Sequence, residues 1–358
     1  MKSDYLWDGS GTPDPELERI EKALSQFRSR ADAAALQNFE PGFEAHRSRG
    51  VLGAWRWPRF LAASLVATGV AAGVAGLFLR GPSVSAVPGW EVARVEGQPV
   101  VGSSPVQAGR ERAQLRVGET LVTDDRSRAS LRVAEIGELM VDPGSRLRLL
   151  ETGSRRKRIA VELGTIHAAI WAPPGEFVVD TPSATAVDLG CAYSLTVAED
   201  GSGTLRTKLG WVGFHENGHD SFIPAGAMCL TRRQEGPGTP YFEDSSEKLR
   251  EALHALDFGR LSQSERKEAL RTVLAEARRR DAFTLWHLLP RVNDNERPSV
   301  YDRLATLLKA PAGTTREGTL GLDRATLDRW WNAFDLGDIA VWRYWEQQEA
   351  PRIKKAAS

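Results

Sequence analysis

Cysteine and methionine are scarce in this chain, and neither sign of charge is in excess. Among 358 residues there are two cysteines and three methionines, and 47 basic side chains balance 47 acidic ones. Two cysteines are too few for a disulfide framework and lack the paired short spacing of a zinc site. The neutral balance gives no electrostatic reason to expect nucleic-acid binding. The length is typical of two or three domains.

One long apolar run stands at residues 60–79, FLAASLVATGVAAGVAGLFL, and contains no charged residue. About 20 apolar residues at ~1.5 Å each cover the ~30 Å hydrocarbon core, so the run predicts a single transmembrane helix. A buried soluble helix is the alternative; a cleaved signal peptide would begin closer to the N-terminus. The arginines cluster upstream, which predicts that residues 1–59 are cytoplasmic and residues 81–358 lie outside the cytoplasm. Gly69 and Gly73 form a small-xxx-small pattern that could pair two such helices into a homodimer.

Residues 1–59 are predicted to form a cytoplasmic arm with one amphipathic helix. Asp14-Pro15-Glu16 is a favourable helix start. An apolar stripe follows at the spacing of one helical face, formed by Leu17, Ile20, Leu24 and Phe27. A helix of ~15 residues is marginal alone in water, so we expect this stripe to bind a partner protein or the membrane surface. A loosely folded arm that only sets topology is the alternative.

The remainder divides by pattern into a β region and a helical region. After a linker at 80–89, short strand-like runs separated by Gly, Pro and Asn turns fill residues 90–235 and predict an all-β domain. The candidate strands are 91–101, 113–122, 129–141, 146–150, 158–171, 177–180, 186–198, 203–215 and 221–231. Residues 245–346 carry helical periodicity and predict an all-α domain, with a tail at 347–358. Ser262-Gln-Ser-Glu265 and Thr314-Thr-Arg-Glu317 in this region fit the capping-box pattern of a helix start. The fold class expected is therefore multidomain: a helical arm, one transmembrane helix, an all-β domain and an all-α domain.

The ordered motifs of the β region resemble the FecR family. A Phe-x-Val-x-Thr-Pro run at 177–182 is followed by a Gly-x-x-Tyr segment, a strand ending in Gly-x-Val, and a later Ala-Gly. The residues that carry the resemblance are Phe177, Thr181, Pro182, Gly190, Cys191, Tyr193, Gly210, Val212 and Gly226, with Gly164-Thr165-Ile166 upstream. The resemblance covers about residues 100–230. Two departures are a Gly-Cys where the family has Gly-Thr, and a helical C-terminal region where iron-transport regulators have an α/β lobe.

The resemblance implies a single-pass regulator of the bacterial inner membrane, with an anti-sigma arm inside and a periplasmic sensor outside. The partners it implies are a cytoplasmic sigma factor and an outer-membrane or other envelope protein. An envelope scaffold whose β domain binds peptidoglycan or another envelope protein is the competing hypothesis.

The chemistry-bearing residues predict neither enzymatic activity nor a cofactor. No nucleophile elbow or phosphate-binding loop is present in the sequence. His215 and His219, with the acids near them, could bind a metal, but Asn217-Gly218 between them is a hairpin-turn signal that favours a solvated turn. In the helical region, adjacent Trp330 and Trp331 point about 100° apart, so both can be buried only if two faces of their helix are covered.

Cys191 lies on the apolar side of the run 186–198, if this run is one strand, together with Val187, Leu189, Tyr193, Leu195 and Val197. The other side carries Asp188, Gly190, Ala192, Ser194 and Thr196. This predicts a structural cysteine. A disulfide between Cys191 and Cys229 is permitted by an oxidising compartment, and the pattern leaves it open.

Overall fold

The computed structural model describes residues 89–107, 112–216 and 219–348, and the statements below refer to these ranges. The predicted arm with Leu17, Ile20, Leu24 and Phe27, and the predicted span at 60–79, lie outside them. No helix inside these ranges is long and apolar enough to cross a bilayer. The predicted order of a β region followed by a helical region is confirmed.

The β region contains short strands that begin near the predicted positions. They are β1 (Gly89–Glu96), β2 (Val100–Val101), β3 (Ser104–Pro105), β4 (Ala113–Arg116), β5 (Thr120–Val122), β6 (Arg128–Val133), β7 (Gly137–Val141), β8 (Arg146–Thr152), β9 (Lys157–Ile170), β10 (Phe177–Asp180), β11 (Thr185–Asp188), β12 (Ala192–Val197), β13 (Gly203–Leu209), β14 (Trp211–Glu216), β15 (His219–Pro224), β16 (Ala227–Arg232), β17 (Gly236–Pro237) and β18 (Tyr241–Phe242).

These strands form two sheets that share the long strand β9. Sheet A has the order β4-β1-β6-β7-β9-β12-β13-β16, with β17 and β18 beside β16. Sheet B has the order β3-β2-β5-β8-β9-β10-β11-β14-β15. The first half of β9 pairs in sheet B and the second half in sheet A. Gly164, at the division, has φ +90, and a Cβ there would lie 2.2 Å from the Ser145 hydroxyl, so this change of sheet needs glycine.

Several predicted long strands are in fact two strands each, because the chain turns or crosses between the sheets inside them. The run 129–141 is a hairpin of β6 and β7. The runs 186–198, 203–215 and 221–231 each contain one strand from each sheet. Apolar residues continue through these crossings, so the sequence alternation alone does not show where one strand ends.

The helical region follows in the order α1 (Glu247–Phe258), α2 (Gln263–Glu276), α3 (Ala282–Leu288), α4 (Arg297–Leu307), α5 (Arg316–Leu320), α6 (Arg324–Asn332) and α7 (Ile339–Gln348), with a 3₁₀ turn at Arg279–Asp281 before α3. The Ser262–Glu265 capping box predicted for α2 is present. The box predicted at 314–317 is wrong: Thr315, not Thr314, caps α5 by accepting a hydrogen bond from the Gly318 N–H, and a glycine at that position cannot complete a capping box.

Two apolar cores arrange the protein in three layers. One core lies between the sheets and includes Val212, Phe214 and Ile223. The other lies between sheet B and the helices and includes Trp211 and Phe222 from the same two strands. Sheet B is therefore the middle layer where the helices cover it, and its strands β10, β11 and β14 bury side chains on both faces.

Candidate functional site

The candidate site is the α–β seam, defined as the contact between strands β14 and β15 and helices α3, α6 and α7. Its centre is Phe222, whose ring makes edge contacts with Trp211, Trp331 and Trp342 at centroid distances of 5.5, 5.0 and 5.1 Å. Such aromatic pairs contribute ~0.5–1.5 kcal/mol each beyond the area they bury. Trp330 and Trp331 are both fully buried, so two faces of α6 are covered, as the sequence requires.

Helix α7 approaches sheet B at a glycine. A Cβ at Gly213 would lie 2.1 Å from the ring of Trp342, so β14 leaves space there for the indole. The Trp342 indole N–H donates to Asp220 Oδ2 at 3.1 Å. Apolar packing and a polar contact together fix this helix on the sheet.

Asp220 also pairs with His215 across the β14–β15 hairpin, at 2.8 Å from Asp220 Oδ1 to His215 Nδ1. This hydrogen bond raises the pKa of His215, against the opposing effect of its partial burial. The His215 ring lies edge-on to Trp345, with centroids 6.0 Å apart. The interpretation of 214–220 as a solvated turn is therefore wrong for His215 and Asp220, which contact α7. Asn217 and Gly218 lie outside the described residues.

His287 of α3 caps the outer edge of sheet B. Its Nδ1–H donates to the Phe283 carbonyl at 2.9 Å, and its Nε2 accepts from the Phe222 N–H at 2.9 Å. Complete burial lowers the pKa of His287 to about 3, so the ring is neutral and both nitrogens are used. Helix α3 thus provides an acceptor for the Phe222 N–H on an edge strand. A buried N–H without an acceptor would cost about 1–3 kcal/mol. Sequence patterning has no signal for this contact.

A second polar cluster lies where β11 of sheet B leads into β12 of sheet A. Asp188 is buried, and its carboxylate accepts from the Gly190 N–H at 2.7 Å and the Cys191 thiol at 3.0 Å. Burial raises the pKa of Asp188 to about 6 despite these hydrogen bonds. Burial and the Asp188 charge also raise the pKa of Tyr193, whose hydroxyl has no hydrogen-bond partner within the described ranges. Alternation places Asp188 on the opposite side of a continuous strand from the apolar residues. The break at 189–191 ends that alternation, and Asp188 lies on the same side of β11 as Ala186, toward the core between the sheets.

The FecR-like motif residues build the crossings between the sheets. Gly190 and Gly210 have φ +86 and +69, and a Cβ at Gly210 would lie 2.4 Å from the Gly190 carbonyl oxygen. Two crossings therefore run side by side at a distance that only glycine permits. Gly226 stands at the next crossing. Thr181 closes the β10–β11 turn through its hydroxyl, which donates to the Ala184 carbonyl at 2.8 Å. The other motif residues that are buried in the described structure are Phe177, Cys191, Tyr193 and Val212.

The two thiols are free in this structure. Cys229 pairs with Leu205, and Leu205 with Leu195, four residues beyond Cys191. Two strand spacings and four residues of rise separate Cys191 from Cys229 by roughly 16 Å, whereas bonded cysteines have Cα atoms under about 7 Å apart. The Cys229 thiol instead donates to the Gly238 carbonyl at 3.3 Å, and burial raises its pKa to about 12.

Within the described ranges, no group of three or more His, Cys, Asp or Glu side chains is arranged to hold a metal ion. His167 pairs singly with Asp142, with 2.8 Å between Nε2 and Oδ2.

Comparison with known proteins gives a family match for the middle of the β region. Residues 119–209 match the family described as FecR protein. Two crystal structures of a candidate anti-sigma factor from Parabacteroides distasonis are similar at 15% identity and a TM-score of 0.31. One likeness covers 37% of this chain and 63% of that protein, and the other 43% and 73%. A comparison with curated proteins gives no match.

Proposed function

We propose that this chain is a membrane-anchored regulator that transmits a periplasmic signal to a cytoplasmic sigma factor through protein–protein contacts, because residues 119–209 match the FecR family. The observation that carries this proposal is the FecR match and its place in the chain. It follows a 20-residue apolar run, which itself follows an arm with an apolar helical stripe. In this arrangement the protein is a single-pass protein of the bacterial inner membrane, with its N-terminus in the cytoplasm.

The α–β seam supports the proposal that the periplasmic part receives the signal. The β region and the helices share a buried core through Phe222, Trp331 and Trp342. A partner that binds either region acts on both, because side chains in a close-packed core transmit strain rather than absorb it.

The chemistry of the buried groups supports a role without catalysis. A cysteine nucleophile needs a thiolate, and burial raises the pKa of both the Cys191 and Cys229 thiols. His287 uses both ring nitrogens to hold backbone groups, so it has no free nitrogen to act as a general base. The groups that most resemble catalytic residues have structural tasks.

Purification of the full chain from membranes tests the proposal. We expect an RNA polymerase sigma subunit to co-purify, identified by mass spectrometry. Ile20→Glu with Leu24→Glu should abolish its retention, since charge on the apolar stripe opposes burial against a partner. Glu21→Gln with Lys22→Gln changes polar positions of the same segment and should retain it. Absence of any sigma subunit, or equal retention by both variants, contradicts the proposal.

The alternative function is an envelope scaffold that binds peptidoglycan, and an exposed tryptophan favours it. Trp171 is 74% exposed and lines an open cavity of about 670 Å³ with Arg132, Glu91 and Glu138. A flat ring beside hydrogen-bonding groups suits a sugar. Sedimentation with purified peptidoglycan should then carry the full chain down, and Trp171→Ala should leave it in the supernatant. Leu209→Ala, which truncates another exposed apolar side chain, is the control; equal sedimentation of both variants contradicts the alternative.

A further inference from the structure

A second open groove lies where the FecR domain meets the last helix. The turn after β8, the loop 173–176 and helix α7 form its walls, and its volume is about 650 Å³. Pockets that hold small ligands or peptide side chains span about 300–1,000 Å³. Tyr344 is 67% exposed at its rim, and Pro173 and Pro174 face the same space.

The basic run 155–158 borders this groove, and its members have different tasks. Lys157 is buried and hydrogen-bonded to Glu176. Arg158 makes two hydrogen bonds to Asp180, at 2.7 and 2.9 Å. Arg156 lies 3.8 Å from Glu151. Arg155 is exposed, lines the groove and has no ion-pair or hydrogen-bond partner in the part of the chain that the structure describes.

The groove also holds a buried donor without an acceptor. Trp345 is 2% exposed, and its indole N–H has no hydrogen-bond partner among the described residues. The indole lies against Gly175, where a Cβ would be 2.2 Å from the ring. The inner wall is therefore a close contact between the FecR domain and α7, with an unused donor in it.

We propose that this groove binds an acidic peptide segment of a partner protein, with a carboxylate on Arg155 and an apolar side chain against Tyr344 and the two prolines. Two acids also line the groove, but Glu151 is paired with Arg156 and Glu176 with Lys157. The positive charge of Arg155 beside the apolar surface of Tyr344 and the prolines therefore selects an anion that has an apolar neighbour. A polyanionic surface such as a membrane would need many free cations, and here the neighbouring cations are already paired with acids. The proposal does not depend on a sigma factor and stands if that partner is absent.

Selection of a displayed library of random heptapeptides on the immobilised full chain tests this inference. We expect the selected peptides to share an Asp or Glu next to an apolar residue. Their affinities, measured by fluorescence anisotropy with synthetic copies, should fall about tenfold for Arg155→Glu, because charge reversal replaces attraction by repulsion. Tyr344→Ala should also weaken them by removing the apolar contact.

Arg146→Glu is the matched control. Arg146 is also exposed and lies at the end of β8 away from the turn that holds Arg155, so its variant should bind the selected peptides as the original chain does. Selection of no peptide over a surface without protein, selection without acidic residues, or equal affinity for the Arg155→Glu and Arg146→Glu variants overturns the proposal. Arg155 makes no contact that folding requires, and circular dichroism of the variant checks that the fold is kept.

Discussion

Sheet A and sheet B have similar numbers of strands but different outer surroundings. The outer face of sheet A is open along β12 and β13, and Leu209 on it is 64% exposed. The outer face of sheet B is covered by helices along β14 and β15, and Trp211 and Phe222 on it are buried. The strand patterns follow this difference: β12 alternates between buried and exposed side chains, whereas the first four residues of β14 are all buried.

The difference teaches that a continuous apolar strand in an antiparallel sheet indicates a third layer. Antiparallel sheets with one solvated face alternate, and strands buried on both faces do not. In β14 the run Trp211-Val-Gly-Phe214 contains two side chains for the inner core, one for the helices and a glycine that admits Trp342. The helical region is therefore part of the fold of sheet B.

Truncation of a side chain in the α–β seam should give the largest change in stability of the tests of this comparison. Trp342 is fully buried and donates to Asp220. Trp342→Ala should lower the free energy of unfolding by about 3–5 kcal/mol, because it leaves a cavity and removes the contact over Gly213. Urea denaturation of the full chain, followed by circular dichroism, measures the change.

Trp171→Ala is the control on the open side. Because its side chain is largely exposed, the free energy of unfolding should change by no more than about 0.5 kcal/mol. Similar effects of the two truncations would mean that the helices do not stabilise sheet B, and the third-layer interpretation would be wrong.

The sequence predicts the parts of the fold that depend on local periodicity and turn chemistry. The β region followed by helices, the Ser262 capping box and the burial of Cys191, Tyr193, Leu195 and Val197 are all present. The FecR resemblance is confirmed for residues 119–209. These features can be predicted because they are determined by residues close together in the chain or by the order of motifs along it.

The remaining features depend on which distant element covers a side chain. His287 lies 65 positions from Phe222, and Trp342 lies 122 positions from Asp220. Periodicity cannot show that a helix will cap a strand or cover a hairpin. Asp188 is the clearest case, since alternation places it on the opposite side from the apolar residues and the change of sheet after it places it in the interior.

Asp188→Asn tests that position. It should raise the free energy of unfolding at pH 7, by less than Trp342→Ala lowers it. The pKa of Asp188 rises from 3.8 to about 6 on folding, so the folded state favours the protonated acid. Its contribution to stability is complete below about pH 4 and is lost as pH rises through about 6. At pH 7 the charged form costs about 3 kcal/mol, from ~1.4 kcal/mol for each pKa unit. Asparagine is neutral and can still accept from the Gly190 N–H, so the variant should be the more stable protein at pH 7 and nearly equal to the original at pH 4.

Urea denaturation of the original chain and of Asp188→Asn between pH 4 and pH 7 measures the difference in their free energies of unfolding. The other titrating groups are the same in both proteins, so their contributions cancel in this difference. Asp200→Asn is the control, because Asp200 is exposed and hydrogen bonds from Ser202 lower its pKa. A lowered pKa stabilises the folded state above the unfolded value, so this variant should lose stability as pH rises, opposite to Asp188→Asn. A difference for Asp188→Asn that stays constant from pH 4 to pH 7 would mean that the carboxylate is solvated. The chain would then not bury Asp188 where it passes from the covered sheet to the open one.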